Sequence, residues 1–373
     1  MAFDWKSIFE YETFKMVKVQ DARLGVLYRL FQLAIAAYIL AEIFLKALYL
    51  QKEPPVPGAI RITLQAPNNL ITPSYCNGSL PCTFWGANEI LYPSDGAGVA
   101  FFTTRTSAIN YPNQPGCNNL RVSSPQDPCF FQPTNNNVTI LPKSYIADIE
   151  DYTIMVEHSV RGKATSIAIR SGLMDGELVS FNGKTIRKLT NDTRMAKNPR
   201  ADGDIFTVQE ILTAAGANLD SPSTAPGANK ATGETYRSSG IVIVIVIEYK
   251  NVPFKKDTIS YKYLPQIIDG NEYKVVENIY NTTDGSFTLI DRHGIRLVFQ
   301  QHGTIGEFQF IALLTGLVAS LALFKVAETL VELVMLNVLP ERNVYDKIKY
   351  SEISHDGYNL DIIHLPRHRP GYD

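Results

Sequence analysis

Phe308-Gln-Phe-Ile-Ala-Leu-Leu-Thr315-Gly316-Leu-Val-Ala319-Ser-Leu-Ala322-Leu-Phe324 contains no charged side chain. Roughly 20 helical residues cross a hydrocarbon core about 30 Å thick. This run supplies most of one crossing, and apolar character returns at residues 333–339 after Lys325, Glu328 and Glu332. A second apolar segment lies near the N-terminus, at residues 27–50. Taken alone it could be an amphipathic helix on a soluble core, but the later run argues against that. Glu42 and Lys46 stand four apart on one helix face, as an ion pair requires. The expected fold class is therefore an α+β membrane protein: two transmembrane helices flanking one large domain. The expected divisions are a tail at 1–26, spans at 27–50 and 305–339, a loop domain at 51–304 and a second tail at 340–373.

Lys6, Lys15, Lys18, Arg23 and Arg29 lead into the first span, and Arg342, Lys347 and Lys349 follow the second. Basic residues beside membrane segments favour the cytoplasm, so both tails are expected inside and the loop outside. The first span lacks a small-residue cleavage site and is expected to stay as an anchor. Four glycosylation sequons, at Asn77, Asn137, Asn191 and Asn281, fall between the spans. So do all four cysteines, Cys76, Cys82, Cys117 and Cys129. An even count in one extracellular loop suggests disulfides. Three pairings are open, and the nearest-neighbour one, Cys76 with Cys82 and Cys117 with Cys129, is preferred.

The loop reads as mostly β. Residues 60–65 and 99–106 alternate with period two. Residues 241–247, Ile-Val-Ile-Val-Ile-Val-Ile, are too short to span a bilayer and look like a strand buried on both faces. Residues 273–280 and 286–290 suggest a hairpin, and 296–300 a strand leading into the second span. Residues 207–215 suggest one short helix, and the Ser-, Pro-, Gly- and Ala-rich 220–240 a long mobile loop. No HExxH, GxSxG or Walker sequence is present, so no enzyme is expected. Residues 227–233 have their glycines one position too far apart for a phosphate loop. His364 and His368 are four apart, but Pro366 between them opposes a helix. No metal, cofactor or nucleic-acid partner is expected. The net charge of −2 points to no partner.

Several short motifs then occur in one order. They are Tyr11-Glu-Thr13-Phe-Lys15, Phe84-Trp85 followed by residues 88–93, and Glu150-Asp-Tyr-Thr153-Ile-Met155-Val. Gly294-Ile-Arg296-Leu, His302-Gly-Thr-Ile-Gly306-Glu-Phe308, residues 321–327 and Tyr345-Asp-Lys-Ile-Lys349 follow. From about Phe9 to Lys349, this series resembles the trimeric ATP-gated purinergic receptor channels, the P2X family. Vertebrate members carry more cysteines in the loop, which fits a divergent, non-vertebrate member with a reduced head region.

The resemblance implies a homotrimer whose second span lines a cation pore passing Na+, K+ and Ca2+. It implies ATP held between subunits by phosphate cations and a threonine at the base. Thr153 matches that threonine, Met155 its apolar neighbour, and Lys274 the position of the arginine. The family's lysine before its "GIRF"-like motif falls on Asp291, with Arg292 next to it. Of the strand lysines only Arg61 remains, with Thr63 and Gln65 on the same face. Thr315, Gly316, Ala319 and Ala322 are pore candidates, and Glu332 falls where the family has Asp. Spacing alone leaves two readings of the acidic pair: a pore or vestibule lining, or Lys325 neutralising Glu328 with Glu332 among lipid headgroups. Two other functions stay open. One is the same scaffold answering a different ligand; the other is a two-pass adhesion or receptor protein without a pore. The membrane is expected to be the plasma membrane or an intracellular vacuole.

Overall fold

The structure is a computed structural model. It describes residues 21–69, 71–76, 81–93, 96–112, 124–126, 138–190, 203–252, 258–281, 283 and 286–349. Two compact units result: Met1–Tyr49 with Gln309–Asp373, and Leu50–Phe308. In chain order the first elements are α1 (Ala22–Leu45), β1 (Leu50–Glu53), β2 (Val56–Gln65), β3 (Cys82–Thr83), α2 (Ala87–Ile90) and β4 (Val99–Tyr111). Next come β5 (Thr139–Ile140), β6 (Ser144–Ile146), β7 (Thr153–Arg161), β8 (Ala168–Arg170), β9 (Asp175–Val179), β10 (Thr185–Leu189) and β11 (Asp204–Thr207). The last are α3 (Val208–Ala215), α4 (Tyr236–Ser239), β12 (Ile241–Asn251), β13 (Ile259–Ile267), β14 (Lys274–Tyr280), β15 (Phe287–Phe308), α5 (Phe310–Asn337) and α6 (Arg342–Lys349).

In the helical unit, α1 and α5 are long and apolar enough to cross a membrane. At 1.5 Å per residue they run about 36 and 42 Å. Asp21 caps α1 by accepting from the Arg23 N–H at 2.8 Å. The expected Glu42–Lys46 pair forms at 2.7 Å. The expected bounds of 27–50 and 305–339 need correcting at the loop side. Ala47 takes a left-handed φ of 45°, which ends α1, and Leu50 already begins a strand. Residues 50–53 pair antiparallel with 308–305, so these residues, Gln51, Lys52, Glu53 and Glu307 among them, serve the sheet rather than the helices.

The second unit holds two sheets. The 11-stranded one has the order β10-β9-β13-β12-β15-β4-β6-β3, with β1 and β14 also on β15 and β5 on β4. The 4-stranded one has the order β11-β7-β2, with β8 also on β7. Strand alternation builds the core between them. From β12 come Ile241, Ile243, Ile245, Ile247 and Tyr249, all fully buried; from β7 come Ile154 and Val156. Each such aliphatic side chain contributes roughly 1.5–3 kcal/mol on burial. Val242, Val244 and Val246 are only half-buried, so β12 is buried fully on one face, not on both as its composition suggested. The expected 273–280 hairpin forms between β14 and β15. The separate strands expected at 286–290 and 296–300 are one continuous β15, bulged against β4 at His293/Gly294. Gly294 is required there: a Cβ would stand 1.9 Å from the Phe102 carbonyl oxygen.

Residues 220–240 are folded, against the mobile loop expected. Their composition is small because they pack closely, with Ser223, Ala225, Ser238 and Ser239 buried. Backbone bonds such as Ser223 N–H to Glu234 O (2.8 Å) and Arg237 N–H to Leu219 O (2.7 Å) tie the segment down. The buried Arg237 guanidinium bonds both Glu150 and Asp220 and stacks on Tyr75. The short helix is α3, closed by a Thr207–Glu210 capping box and ended by Gly216 at φ 73°.

Cys76 and Cys82 form the expected disulfide. Cys117, Cys129, Asn77, Asn137, Asn191, His364 and His368 lie outside the described residues. Asn281 is exposed, in the β14–β15 turn, where its side-chain oxygen accepts from the Thr283 N–H at 3.0 Å.

Candidate functional site

The residues assigned to the ligand fall on two sheets. On the 4-stranded sheet, antiparallel register sets Gln65 opposite Thr153, Thr63 opposite Met155 and Arg61 opposite Glu157. Period two puts all six on the face turned away from the core, since Ile60, Ile62 and Leu64 pack inward. Arg61 is 72% exposed and lies 3.6 Å from the Glu157 carboxylate. This face offers one cation, several hydroxyl and amide groups, and the Met155 thioether.

On the 11-stranded sheet, Lys274 sits opposite His293 and Val276 opposite Asp291. Lys274 is 54% exposed, 3.8 Å from Asp291 Oδ2. The same oxygen lies 3.4 Å from His293 Nε2. His293 Nδ1 lies 2.9 Å from the Ser239 carbonyl, which only accepts, so Nδ1 carries a proton. The His293 hydrogen bond first, then the charges of His293, Lys274 and Arg105, hold the Asp291 carboxyl below its usual value against partial burial. Arg105, opposite His293 on β4, is a cation that the motif comparison missed. It is buried and donates from Nε to the Ser238 carbonyl at 2.7 Å. Alternation along residues 99–106 placed it on a strand, but nothing in the sequence placed that strand beside β15.

Arg292 does not share this face. Register puts Val275 opposite Arg292 and Glu277 opposite Ile290, so Arg292 and Glu277 point the other way. Arg292 is 7% exposed, and its guanidinium bonds Glu277 Oε2 from Nε (2.9 Å) and Nη2 (2.5 Å). It also donates to the Glu89 carbonyl at 2.8 Å and lies over the Trp85 and Tyr92 rings. Arg292 is thus committed within the fold, and Lys274 is left beside Asp291 without it. That separation was legible: neighbours in a strand face opposite ways.

In the helical unit, Thr315, Ala319, Ala322 and Glu332 are exposed on α5. The first three follow i, i+4, i+7 spacing and share a face. Gly316 does not join them; a Cβ there would meet Leu48 at 3.5 Å. Glu332 lies ten residues beyond Ala322, about 80° around an ideal helix. The Glu328 carboxylate bonds Lys325 at 2.6 Å and accepts from the Tyr28 hydroxyl at 3.5 Å. The Lys325–Glu328 pair is thus formed, and it leaves the pore-lining position of the acidic pair as a proposal.

Two helices of spanning length, one on each side of a β-rich domain in the sequence, define a two-pass membrane protein with a single large loop domain. The family model for the ATP P2X receptor matches residues 9–132 and 253–352. P2X receptor E of Dictyostelium discoideum is 31% identical over 369 residues, covering 94% of this chain and 89% of that protein. P2X receptor A of the same organism is 31% identical over 367 residues, covering 94% and 91%. The chain belongs to the P2X receptor family, whose members are ligand-gated channels and not enzymes. Its fold is that of the chicken ATP-gated P2X7 receptor channel solved with the competitive antagonist TNP-ATP (TM-score 0.50, 16% identity, 83% of this chain and 98% of that one). It is likewise that of a Gulf Coast tick P2X receptor solved with ATP and Zn2+ ion (TM-score 0.50, 14% identity, 83% and 100%). Lys274 and Asp291 fall inside the matched segments; Thr153 and Met155 fall between them.

Proposed function

We propose that this chain forms a homotrimeric cation channel opened by ATP bound between subunits. The observation that carries this reading is the separation of the ligand residues. Thr153, Met155 and Arg61 share the outer face of one sheet, while Lys274 lies on another. A site using both sets is completed by a neighbouring subunit, with the first set at the base and Lys274 at the phosphates. Both tails lie in the cytoplasm and the β-rich domain lies outside, or in the lumen of a vacuole. The exposed Thr315, Ala319 and Ala322 face the ion path, with Glu332 shaping its inner end for Na+, K+ and Ca2+. Membrane lipid surrounds the remaining faces.

Asp291 stands among the phosphate cations, so ATP binds weakly. Burying a triphosphate requires matched positive charge. The same carboxylate supports a second reading, in which this scaffold answers a ligand less anionic than ATP. Whole-cell recording from cells expressing the full chain, during ATP application, decides between them. An inward cation current is expected at high micromolar to millimolar ATP. No current from protein shown to be at the cell surface sinks the ATP reading.

A further inference from the structure

Between β7 and β8 the chain turns through residues 162–167, closed by the Gly162 N–H to the Ile167 carbonyl at 2.8 Å. Three backbone N–H groups and two hydroxyls of this turn are taken by two carboxylates from elsewhere. Glu53 Oε2 accepts from Ala164 N at 2.7 Å. Glu53 Oε1 accepts from Thr165 N at 3.0 Å and from the Thr165 hydroxyl at 2.6 Å. Glu307 accepts from Ser166 N at 2.9 Å and from the Ser166 hydroxyl at 2.8 Å. The approach is close enough to require glycine at 162. A Cβ there would stand 1.9 Å from the Thr165 hydroxyl and 2.5 Å from Glu53 Oε1. The Thr165 hydroxyl also holds the Glu53 carboxyl below its usual value, so at neutral pH it is an ionised acceptor.

The position of these two carboxylates gives the turn its meaning. Glu53 ends β1 opposite Ile305, and Glu307 lies on β15 opposite Gln51. They therefore belong to the two strands of one ladder, the strands that the sequence joins directly to α1 and α5. The turn itself sits at the far end of β7 from Thr153. β7 is nine residues long, which sets its ends about 26 Å apart at ~3.3 Å per residue. Pro54 and Pro55 separate β1, on the large sheet, from β2, on the small one, so the clasp lies where the chain changes sheets.

We propose that the 162–166 turn is a clasp that carries displacement of β7 to the β1–β15 ladder, with Glu53 and Glu307 as positioning residues for opening. The proposal rests on the ligand-gated reading above. Charge-assisted hydrogen bonds are short and directional, and two carboxylates gripping one turn leave it little freedom to slide. Along the ladder itself β7 has no partner in β1 or β15. Besides the clasp, Gln301 of β15 joins the sheets, bonding the Ser159 carbonyl and the Gly58 N–H. Among the described residues, force applied at Thr153 thus has side-chain routes to β15 through the clasp, through Gln301 directly and through His158, Tyr249 and Gln301, and the clasp is the one next to the helix junctions in sequence.

The test uses full-length protein, in cells for current and in mild detergent for exchange and binding. Variants are Glu53→Ala, Glu307→Ala, and, from the turn side, Thr165→Ala and Ser166→Ala. Glu53→Ala is expected to speed amide hydrogen exchange at Ala164 and Thr165, and Glu307→Ala at Ser166, each by about tenfold. Binding of a fluorescent ATP analogue is expected to stay within about twofold of wild type, while the ATP needed for half-maximal current rises about tenfold. Glu53→Ala combined with Thr165→Ala is expected to add little to Glu53→Ala alone, because losing the carboxylate already removes the bond from the Thr165 hydroxyl. Unchanged exchange rates overturn the clasp, whatever the currents do. Binding that weakens in step with the current overturns the coupling role and makes the turn part of the binding fold. A wild-type protein silent to ATP, with the exchange differences intact, overturns the coupling together with the function it rests on and leaves the contact itself established.

Discussion

Asp291 decides how much negative charge the Lys274 face tolerates. Lys274 and His293 approach it from the same face, and Arg105 adds charge nearby. Replacing Lys274 with Ala removes the exposed cation, and each charge-assisted hydrogen bond is worth roughly 1.5–3 kcal/mol. The ATP concentration for half-maximal current should therefore rise about tenfold or more in Lys274→Ala, at ~1.4 kcal/mol per decade. Asp291→Lys should shift it the other way, and surface expression should be unchanged in both. An unaltered dose–response in Lys274→Ala would remove this residue from the ligand site. The carboxyl also makes a pH prediction. Its value is lower in the folded protein than in the unfolded chain, so its stabilising contribution is complete above the ordinary value of 3.8 and fades as pH falls through the lower folded value. Thermal unfolding of Asp291→Asn against wild type should show the wild-type advantage shrinking in that acidic window. An advantage independent of pH there would mean the carboxylate charge is irrelevant to the fold.

At the scale of elements, apolar length and period did most of the sequence-level work. Both spanning helices were legible, as were the β14–β15 hairpin and the capped α3, because each rests on local pattern. The segment 220–240 was not legible. Its small residues read equally well as linker or as close packing, and the choice depends on Arg237 meeting Glu150, in the helical turn just before β7 and far off in the sequence. Burial pushes the Tyr75 hydroxyl up to about 12, so it stays protonated and donates to the Ile146 carbonyl at 3.0 Å. Arg237→Ala would leave Glu150 and Asp220 without their shared cation and should lower stability by about 3 kcal/mol or more. The drop would appear in the thermal midpoint of the detergent-solubilised protein, and a mobile loop would show none. On α5, the division between the exposed Ala319 face and Gly316 against Leu48 makes a sharper test than a single stripe of small residues would. Cysteine at Ala319 should react with a charged thiol reagent at a rate that changes with agonist. Cysteine at Gly316 should react slowly in both conditions. Equal rates at the two positions would contradict the assigned pore face.

The whole molecule raises a question that one chain answers only by its geometry. The Thr153 set and Lys274 occupy different sheets of one unit. Motif matching could name these residues but could not say whether they meet within a subunit. Closed symmetric assembly makes every interface of a homotrimer identical, so a shared site appears once per interface. Complementation distinguishes the two arrangements. Thr153→Ala subunits retain Lys274, and Lys274→Ala subunits retain Thr153. If each site used residues of a single chain, every site in a mixed trimer would carry one defect, and mixing would restore nothing. If each site takes Thr153 from one subunit and Lys274 from its neighbour, a ring containing both kinds of subunit has one interface with both residues intact. Co-expression should then yield a current component at wild-type ATP concentrations that neither variant gives alone. Equal co-expression makes about three quarters of random trimers mixed, so the component should be large enough to measure. A purely additive response would place the whole ligand site within one chain, and a dimeric mass in mild detergent would remove the ring from the argument altogether.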